Sequence, residues 1–344
     1  MTMKKIISIS LVLMLLLGIL AVPAVADEFK IGTLSYLNMT EGEEDLYGPA
    51  FRKIPLDILK LHGVLENEKL FDGAPTYRHY DNRNALLLAL DSGEVNAIGV
   101  PYYTAKYLCS NNDRMKLSTE YHPENMAGAS DWALSRICDG YSFMMMEGKE
   151  ELRDAFDEQI KAMKEDGTLQ KLIDEHIIKV AEGGEPVSVA FEKFEGAPLK
   201  VGVSGDLPPM DYVAPDGSFA GFNTAVLAEI SKRLQKNIEL VQVENVSRAL
   251  ALSEGVVDVV FWTRAMSEKM VDDLVSTRGL SDEERSAKRQ ARQDAMSDEE
   301  KAIFAEIEDR PMDEKTEMKY RDMPQSTIIT RPYFSDFPVM VTLK

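Results

Sequence analysis

One pattern limits the fold of this chain more than any other, and it runs twice. Short apolar runs of strand length alternate with helical segments on both sides of residues 179–198, a stretch holding Gly183, Gly184, Pro186, Gly196 and Pro198. Before that stretch, Phe29–Leu34, Val95–Val100 and Tyr141–Met146 read as strands. Asp81-Asn82-Arg83-Asn84 reads as the N-terminal cap of an apolar helix, Ala85–Leu90, that Ser92-Gly93 stops. Lys149–His176 reads as a long helix interrupted at Asp166-Gly167, with Leu152, Phe156, Ile160 and Met163 spaced by threes and fours along one face. After the stretch, Leu199–Val203, Ile238–Val243 and Val256–Trp262 read as strands, and Phe222–Leu234 and Val246–Leu252 as helices. Strands alternating with helices imply an α/β fold built on parallel strands.

Composition narrows the function classes. Lys plus Arg number 39 against 58 Asp plus Glu, a formal net charge of −19. A general nucleic-acid binder needs a basic patch to displace counterions from phosphates, so no nucleic-acid partner is expected. Hydrophobic residues make up 44%, enough for a sizeable core. Two cysteines cannot make a disulfide-dense scaffold, and four scattered histidines give no His-rich metal site. Cys109 and Cys138 pair in an oxidising compartment or stay buried as thiols; both readings stand. Beyond residue 26 no apolar run approaches the ~20 residues that span a bilayer.

The N-terminus reads as an export signal. Lys4 and Lys5 precede an apolar run from Ile6 to Leu20, followed by Pro23 and Ala24-Val25-Ala26. A positive start, an apolar middle and a small-x-small ending predict cleavage after Ala26. No cysteine lies near the cut to carry a lipid, so a free product in a periplasm is expected.

From about Ser267 to Arg321 the composition shifts to dense mixed charge, as in SDEERSAKRQARQDAMSDEEKAIFAEIEDR. This predicts a solvated helical insertion over about 272–320, with a lid or docking surface as its functional reading. Its apolar periodicity is too sparse for a long coiled coil.

The run LKVGVSGDLPPMDYVAPDGSFAGFNTAVLAEISKRL from Leu199 resembles lobe 1 of periplasmic solute-binding proteins of the amino-acid (family 3) type, the partners of ABC importers. SEGVVDVVFWT is similar to the Gly-x-Val-Asp strand of that family, and RPYFSDFPVMV to its Pro-Tyr segment leading into the hinge. In the first half, NALLLALDSGEVNAIGVPYYTAKYL resembles the lobe 2 helix, turn and strand. FKIGTLSYLNMTE resembles the strand opening lobe 2, and FMMMEGKEELRDAFDEQIKAMKEDGTLQKLIDEHI the closing segment. The resemblance implies a two-lobed periplasmic binding protein of type II (a Venus flytrap).

Against that family the order is reversed, since lobe 2 elements precede lobe 1 elements. The expectation is one circularly permuted protein, with the usual termini joined through 179–198 and new termini opened in lobe 2. Its hinge strands are then Tyr141–Met146 and Val339–Leu343, and the helix from Lys149 packs on lobe 1. The expected divisions are a leader over 1–26, lobe 2 over 27–148, closing helices and linker over 149–198, and lobe 1 over 199–344. Two degraded tandem copies are the rival account, disfavoured because the halves supply complementary elements.

Site residues follow from the resemblance. Asp206 ends the first lobe 1 strand and faces the cleft, or else caps a turn. Met210 and Tyr212 occupy the segment of an aromatic lid, and an alternating edge equally puts Tyr212 in the core. Trp262, Thr263 and Arg264 follow the buried strand at the mouth where ligands bind in open α/β sheets. Arg264 is the expected bidentate partner of a ligand carboxylate. From lobe 2 come Thr33, Ser35 and Asn38, with Tyr102 and Tyr103 ending the second strand. Two family anchors are displaced, since the carboxylate-binding arginine falls at Met270 and the amine-pairing aspartate at Pro101. The aromatic residues in their place, Trp262, Tyr102 and Tyr103, suggest a flatter or more apolar ligand, such as an aromatic acid or a nucleobase-like compound.

The resulting expectation is a monomeric solute-binding protein, not an enzyme, with no cofactor and no metal. It captures a small polar or anionic metabolite, an amino acid or related organic acid, for an ABC permease. Delivery of the bound state to a membrane sensor is the alternative. A dehydratase on the same fold is the enzyme reading, and it lacks an acid/base pair at the site positions.

Overall fold

The computed structural model describes residues 29–34, 57–66, 76–118, 120–122, 125, 138–214, 216–244, 247–277, 279–305 and 324–344. The export signal, Ser35 and Asn38 lie outside them. The first half opens with β1 (Lys30–Leu34), a short β2 (Leu65–Glu66) and β3 (Thr76–Tyr80). Helix α1 (Arg83–Ser92) starts where Asn82 accepts a hydrogen bond from the Ala85 amide, and Gly93 ends it at φ 74°. Then come β4 (Ala97–Pro101), α2 (Tyr102–Asn111), β5 (Met115–Leu117), β6 (Glu120–Tyr121) and β7 (Asp139–Met146). The predicted long helix is α3 (Glu150–Glu165) and α4 (Thr168–Ile173), broken at Gly167. It continues as a π-helical turn over Asp174–Ile178 and a last α turn to Ala181, so the linker proper begins only at Glu182.

The second half holds β8 (Leu199–Val203), the small antiparallel strands β9 (Asp206–Leu207), β10 (Asp211–Val213) and β11 (Phe219–Ala220), and α5 (Phe222–Leu234). Next are β12 (Ile238–Gln242), α6 (Arg248–Ser253) and β13 (Val259–Met266). Within the charged segment the described residues form α7 (Glu268–Thr277), α8 (Asp282–Asp294) and α9 (Asp298–Phe304), and residues 306–323 lie outside them. The chain closes with β14 (Thr327–Ile329), β15 (Phe334–Asp336) and β16 (Pro338–Leu343).

Two five-strand paths share one plan. The first runs β3-β1-β4-β16-β5 and the second β12-β8-β13-β7-β14. In each, the second strand of the path, β1 or β8, sits between two parallel neighbours, and the fourth strand is antiparallel to those beside it. That fourth strand always comes from the other half: β7 enters the second sheet and β16 the first. Helix α3 packs on α5, so it sits with the second sheet although it is encoded beside the first.

The halves also repeat locally. Ala89-Leu90-x-x-Gly93-x-Val95-Asn96 matches Ala251-Leu252-x-x-Gly255-x-Val257-Asp258. Both glycines take positive φ, 74° and 69°, the left-handed conformation that ends a helix with little strain only at glycine. The amides of Val95 and Val257 then return to the carbonyls of Ala89 and Ala251. Asn96 accepts from the Lys30 amide and Asp258 from the Lys200 amide, fastening each unit to its first strand. The Gly-x-Val-Asp signature is thus a helix stop joined to a strand clip.

The largest apolar cluster runs through both halves, from Leu34 and Ile98 to Phe143, Phe261 and Val341. Burial at roughly 25 cal/mol per Å² of apolar surface is what holds such units together. The linker is pinned by Asn237, which accepts from the Phe194 amide and donates to the carbonyls of Phe194 and Gly196. Helix α9 reaches back toward the first half: Glu300, 4% exposed, lies 2.9 Å from Nε2 of His62.

Candidate functional site

The carboxyl ends of the two parallel sheets face one another. Asp206, three residues past β8, approaches the amide of Arg83, three residues past β3, with its Oδ2 3.5 Å away. That is a long contact, and its value is positional: it puts the end of β8 opposite the N-terminus of α1. Open α/β sheets bind ligands in the crevice beyond their strand ends. Tyr107 of α2 is near enough to Tyr212 to act on its phenol electrostatically. Burial first and Tyr107 second push that phenol up to about 12.

The loop carrying Asp206 is held from behind by Asp211. Its Oδ2 accepts from the Ser204 amide at 3.0 Å and the Ser204 hydroxyl at 3.2 Å, and its Oδ1 from the Gly205 amide at 3.2 Å. Asp211 is 2% exposed, and burial pushes its carboxyl up to about 6 against the pull of the Ser204 amide and Arg248. Arg248 is itself buried; its Nη1 donates to the Phe261 carbonyl at 2.9 Å, and its guanidinium lies 5.7 Å from the Trp262 ring centroid. Behind it the Tyr333 hydroxyl donates to Asn223 Oδ1 at 2.8 Å.

Thr263 and Arg264 form a β-bulge. Trp262 pairs with Ser142 and Ala265 with Gly140, so two residues of β13 oppose the single Tyr141 of β7. Bulges of this kind bend a strand and re-aim its side chains. The side chain of Arg264 lies outside the described residues.

The expected site residues therefore separate. Asp206 stands at the gap, and Thr33 is half-buried in β1 beside His79. Thr263 is in the bulge, 5% exposed. Met210 and Tyr212 are buried, with Tyr212 pairing with Ala220 and Asp206 in the antiparallel excursion. Trp262 is fully buried against Met144, Ala251 and Leu252, and forms no aromatic wall. Tyr102 and Tyr103 form the first turn of α2 rather than a strand end, with their rings edge to face at 5.1 Å. Cys109 and Cys138 are both free thiols.

Sequence reasoning missed Arg83, Asp211 and Arg248. Arg83 was placed only in a capping segment, yet its Nε is buried without a hydrogen-bond partner at the gap. For Asp211 the signal was the Ser-Gly-x₅-Asp spacing, which lets a carboxylate fold back onto its own turn. Among the described residues no group of three or more His, Cys, Asp or Glu could hold a metal ion, and no helix is long and apolar enough to cross a membrane.

No curated protein sequence matches the chain. A ligand-binding component of an ABC-type import system from Staphylococcus aureus, with zinc bound, is 13% identical over 68% of this chain and 54% of its own, at a TM-score of 0.31. The chain thus spans about half of that protein's length. A phosphate-binding protein of a phosphate ABC transporter from Streptococcus pneumoniae is 11% identical over 91% of this chain and 89% of its own, at 0.31. The VFT2 domain of Bordetella pertussis BvgS is 10% identical over 92% and 80%, also at 0.31. Residues 199–270 match the profile of the bacterial extracellular solute-binding proteins, family 3. Over that segment, about a fifth of its length, the chain resembles the bacterial extracellular solute-binding proteins of family 3.

Proposed function

We propose that this chain is an extracytoplasmic solute-binding protein that holds a small polar or anionic metabolite, an amino acid or related organic acid, between its two sheets. One observation carries the reading: the strand ends of two like-built sheets meet across a gap where Asp206 faces the start of α1. Arg83 supports an anionic ligand, because a guanidinium nitrogen buried without an acceptor is costly until a ligand supplies one. Arg264 on the bulge is the second cationic group and Thr263 a hydroxyl donor. The protein acts as a monomer, is exported by a leader cut after Ala26, and delivers its ligand to an ABC permease. A membrane sensor is the alternative partner, and the roles assigned here are binding roles with no catalytic residue. A thermal-shift screen of small metabolites tests the reading. A ligand that binds only the folded form raises the melting temperature in proportion to the logarithm of its concentration. No rise with amino acids, organic acids or inorganic anions defeats it.

The wiring is part of the same proposal. Relative to the family order the chain is circularly permuted, and both β1 and β16 lie in the first sheet. A chain joined from Lys344 to Phe29 by a Gly-Ser bridge and reopened within 184–190 is expected to fold with the same cooperative melt. A reopened chain that yields only aggregates or a non-cooperative transition contradicts permutation.

A further inference from the structure

Two passages between the sheets, into β7 and from β15 to β16, meet at one buried carboxylate. β7 begins at Asp139, and β15 ends at Asp336 one residue before β16 starts in the other sheet. Asp139 and Asp336 are register partners in the β7–β15 pair. Helix α2 starts at the same point, and its N-cap residue Pro101 offers no capping side chain. Asp336 supplies the cap instead. The Tyr103 amide donates to its Oδ2 at 3.2 Å, and the Phe337 amide to its Oδ1 at 2.8 Å. The Tyr102 amide donates to the Phe337 carbonyl at 2.9 Å. A side chain on the last strand of the second sheet thus closes a helix that belongs to the first, and it is 5% exposed.

We propose that Asp336 is a proton-controlled hinge pin: protonated, it favours the closed arrangement of the two sheets, and ionised, it favours an opened one in which water reaches the carboxylate. This rests on the two-lobed binding reading, whose cleft the hinge governs.

The sign follows from linkage. In the closed arrangement burial pushes the Asp336 carboxyl up to about 7, the Tyr103 and Phe337 amides oppose the rise, and Asp139 adds to it. A carboxyl exposed by opening returns toward an ordinary aspartate value near ~3.9. The proton therefore binds the closed form more tightly, and by reciprocity its binding closes the hinge. The charged and titratable neighbours are few. From β7 comes Asp139. From α2 come Tyr102, Tyr103 and Lys106, the last paired with Glu182 at 3.3 Å. From the closing helices come Asp174, Glu182 and His176. Burial, then Asp336, push the Tyr103 phenol up to about 12, so it stays neutral through this range. Burial holds His176 below the usual histidine range, so it gains its proton only in acid.

The test needs no ligand. Small-angle scattering of the purified protein between pH 4.5 and 8.5 is expected to show the radius of gyration rising with pH, with a midpoint between the opened value near ~3.9 and the closed value of about 7. Asp336→Asn is expected to stay compact throughout, because an amide retains an acceptor for the Tyr103 N–H and carries no charge. Carbon-13 carboxyl titration of the wild type gives an independent reading, expected at the same midpoint and above the ordinary aspartate range. A wild-type radius that ignores pH, an Asp336 midpoint near 4, or an unchanged pH profile in the asparagine variant overturns the proposal. Since no solute enters the measurement, its failure leaves the binding reading standing, and a failed metabolite screen leaves the hinge result intact.

Discussion

Asp211 shows what one buried side chain contributes to a loop that carries a site. Three donors converge on it, two of them backbone amides of the Ser204-Gly205 turn. Asp211→Ala leaves those donors buried and unmet, at roughly 1–3 kcal/mol for each unsatisfied group. The expected loss is about 2–4 kcal/mol in urea unfolding, and a loss below about 1 kcal/mol contradicts the clamp. Its pH dependence has a definite sign. The folded carboxyl, at about 6, lies above its unfolded value, so its contribution is full below about 4 and is lost as pH rises through 6. The melting temperature of the wild type should therefore fall relative to Asp211→Asn between pH 4 and 7. Parallel profiles for the two proteins count against it. Asp206 lies three residues past β8, at the first position of β9, so its motif located it near a strand end but not in the turn beyond it. The burial of Met210 and Tyr212 is set by a small antiparallel excursion, where local pattern leaves both faces open.

At the level of elements, termini were readable where a local side chain makes them. Asn82 and Gly93 bound α1 as their chemistry requires, and α5 occupies Phe222–Leu234 as its periodicity predicts. Each of α8 and α9 begins with a capping box, Ser281 with Glu284 and Ser297 with Glu300, a signal carried entirely by spacing. What failed was anything set by distant packing. The π turn at Asp174–Ile178 has no mark in the sequence, and it falls where the helical run passes from α5 toward α2. β13 starts three residues later than its apolar run suggests, because Val256 and Val257 are used to close the Gly255 turn, and it runs on through the bulge to Met266. The insertion was readable as charged helix, but its attachment to His62 was not, since that partner stands in the other half.

For the whole molecule, the reciprocal exchange of β7 and β16 ties each half to the other, so neither sheet is complete alone. The two crossing strands were legible at Tyr141–Met146 and near Val339–Leu343 from the order of elements along the chain. How the two sheets face each other was not legible, since it depends on contacts between residues far apart in the chain, such as Asp206 with the start of α1 and Asp336 with the start of α2. The reading of that gap as a solute site is tested most directly by titration calorimetry, using the metabolite that gives the largest thermal shift, on the wild type and on Arg83→Ala and Arg264→Ala. Removing one partner of a desolvated charged pair costs about 2–5 kcal/mol, roughly thirtyfold to several-thousandfold in affinity. One ligand per chain is expected for the wild type, with at least that loss in each variant and an unchanged melting temperature without ligand. Full affinity in both variants contradicts an anionic solute held between the sheets.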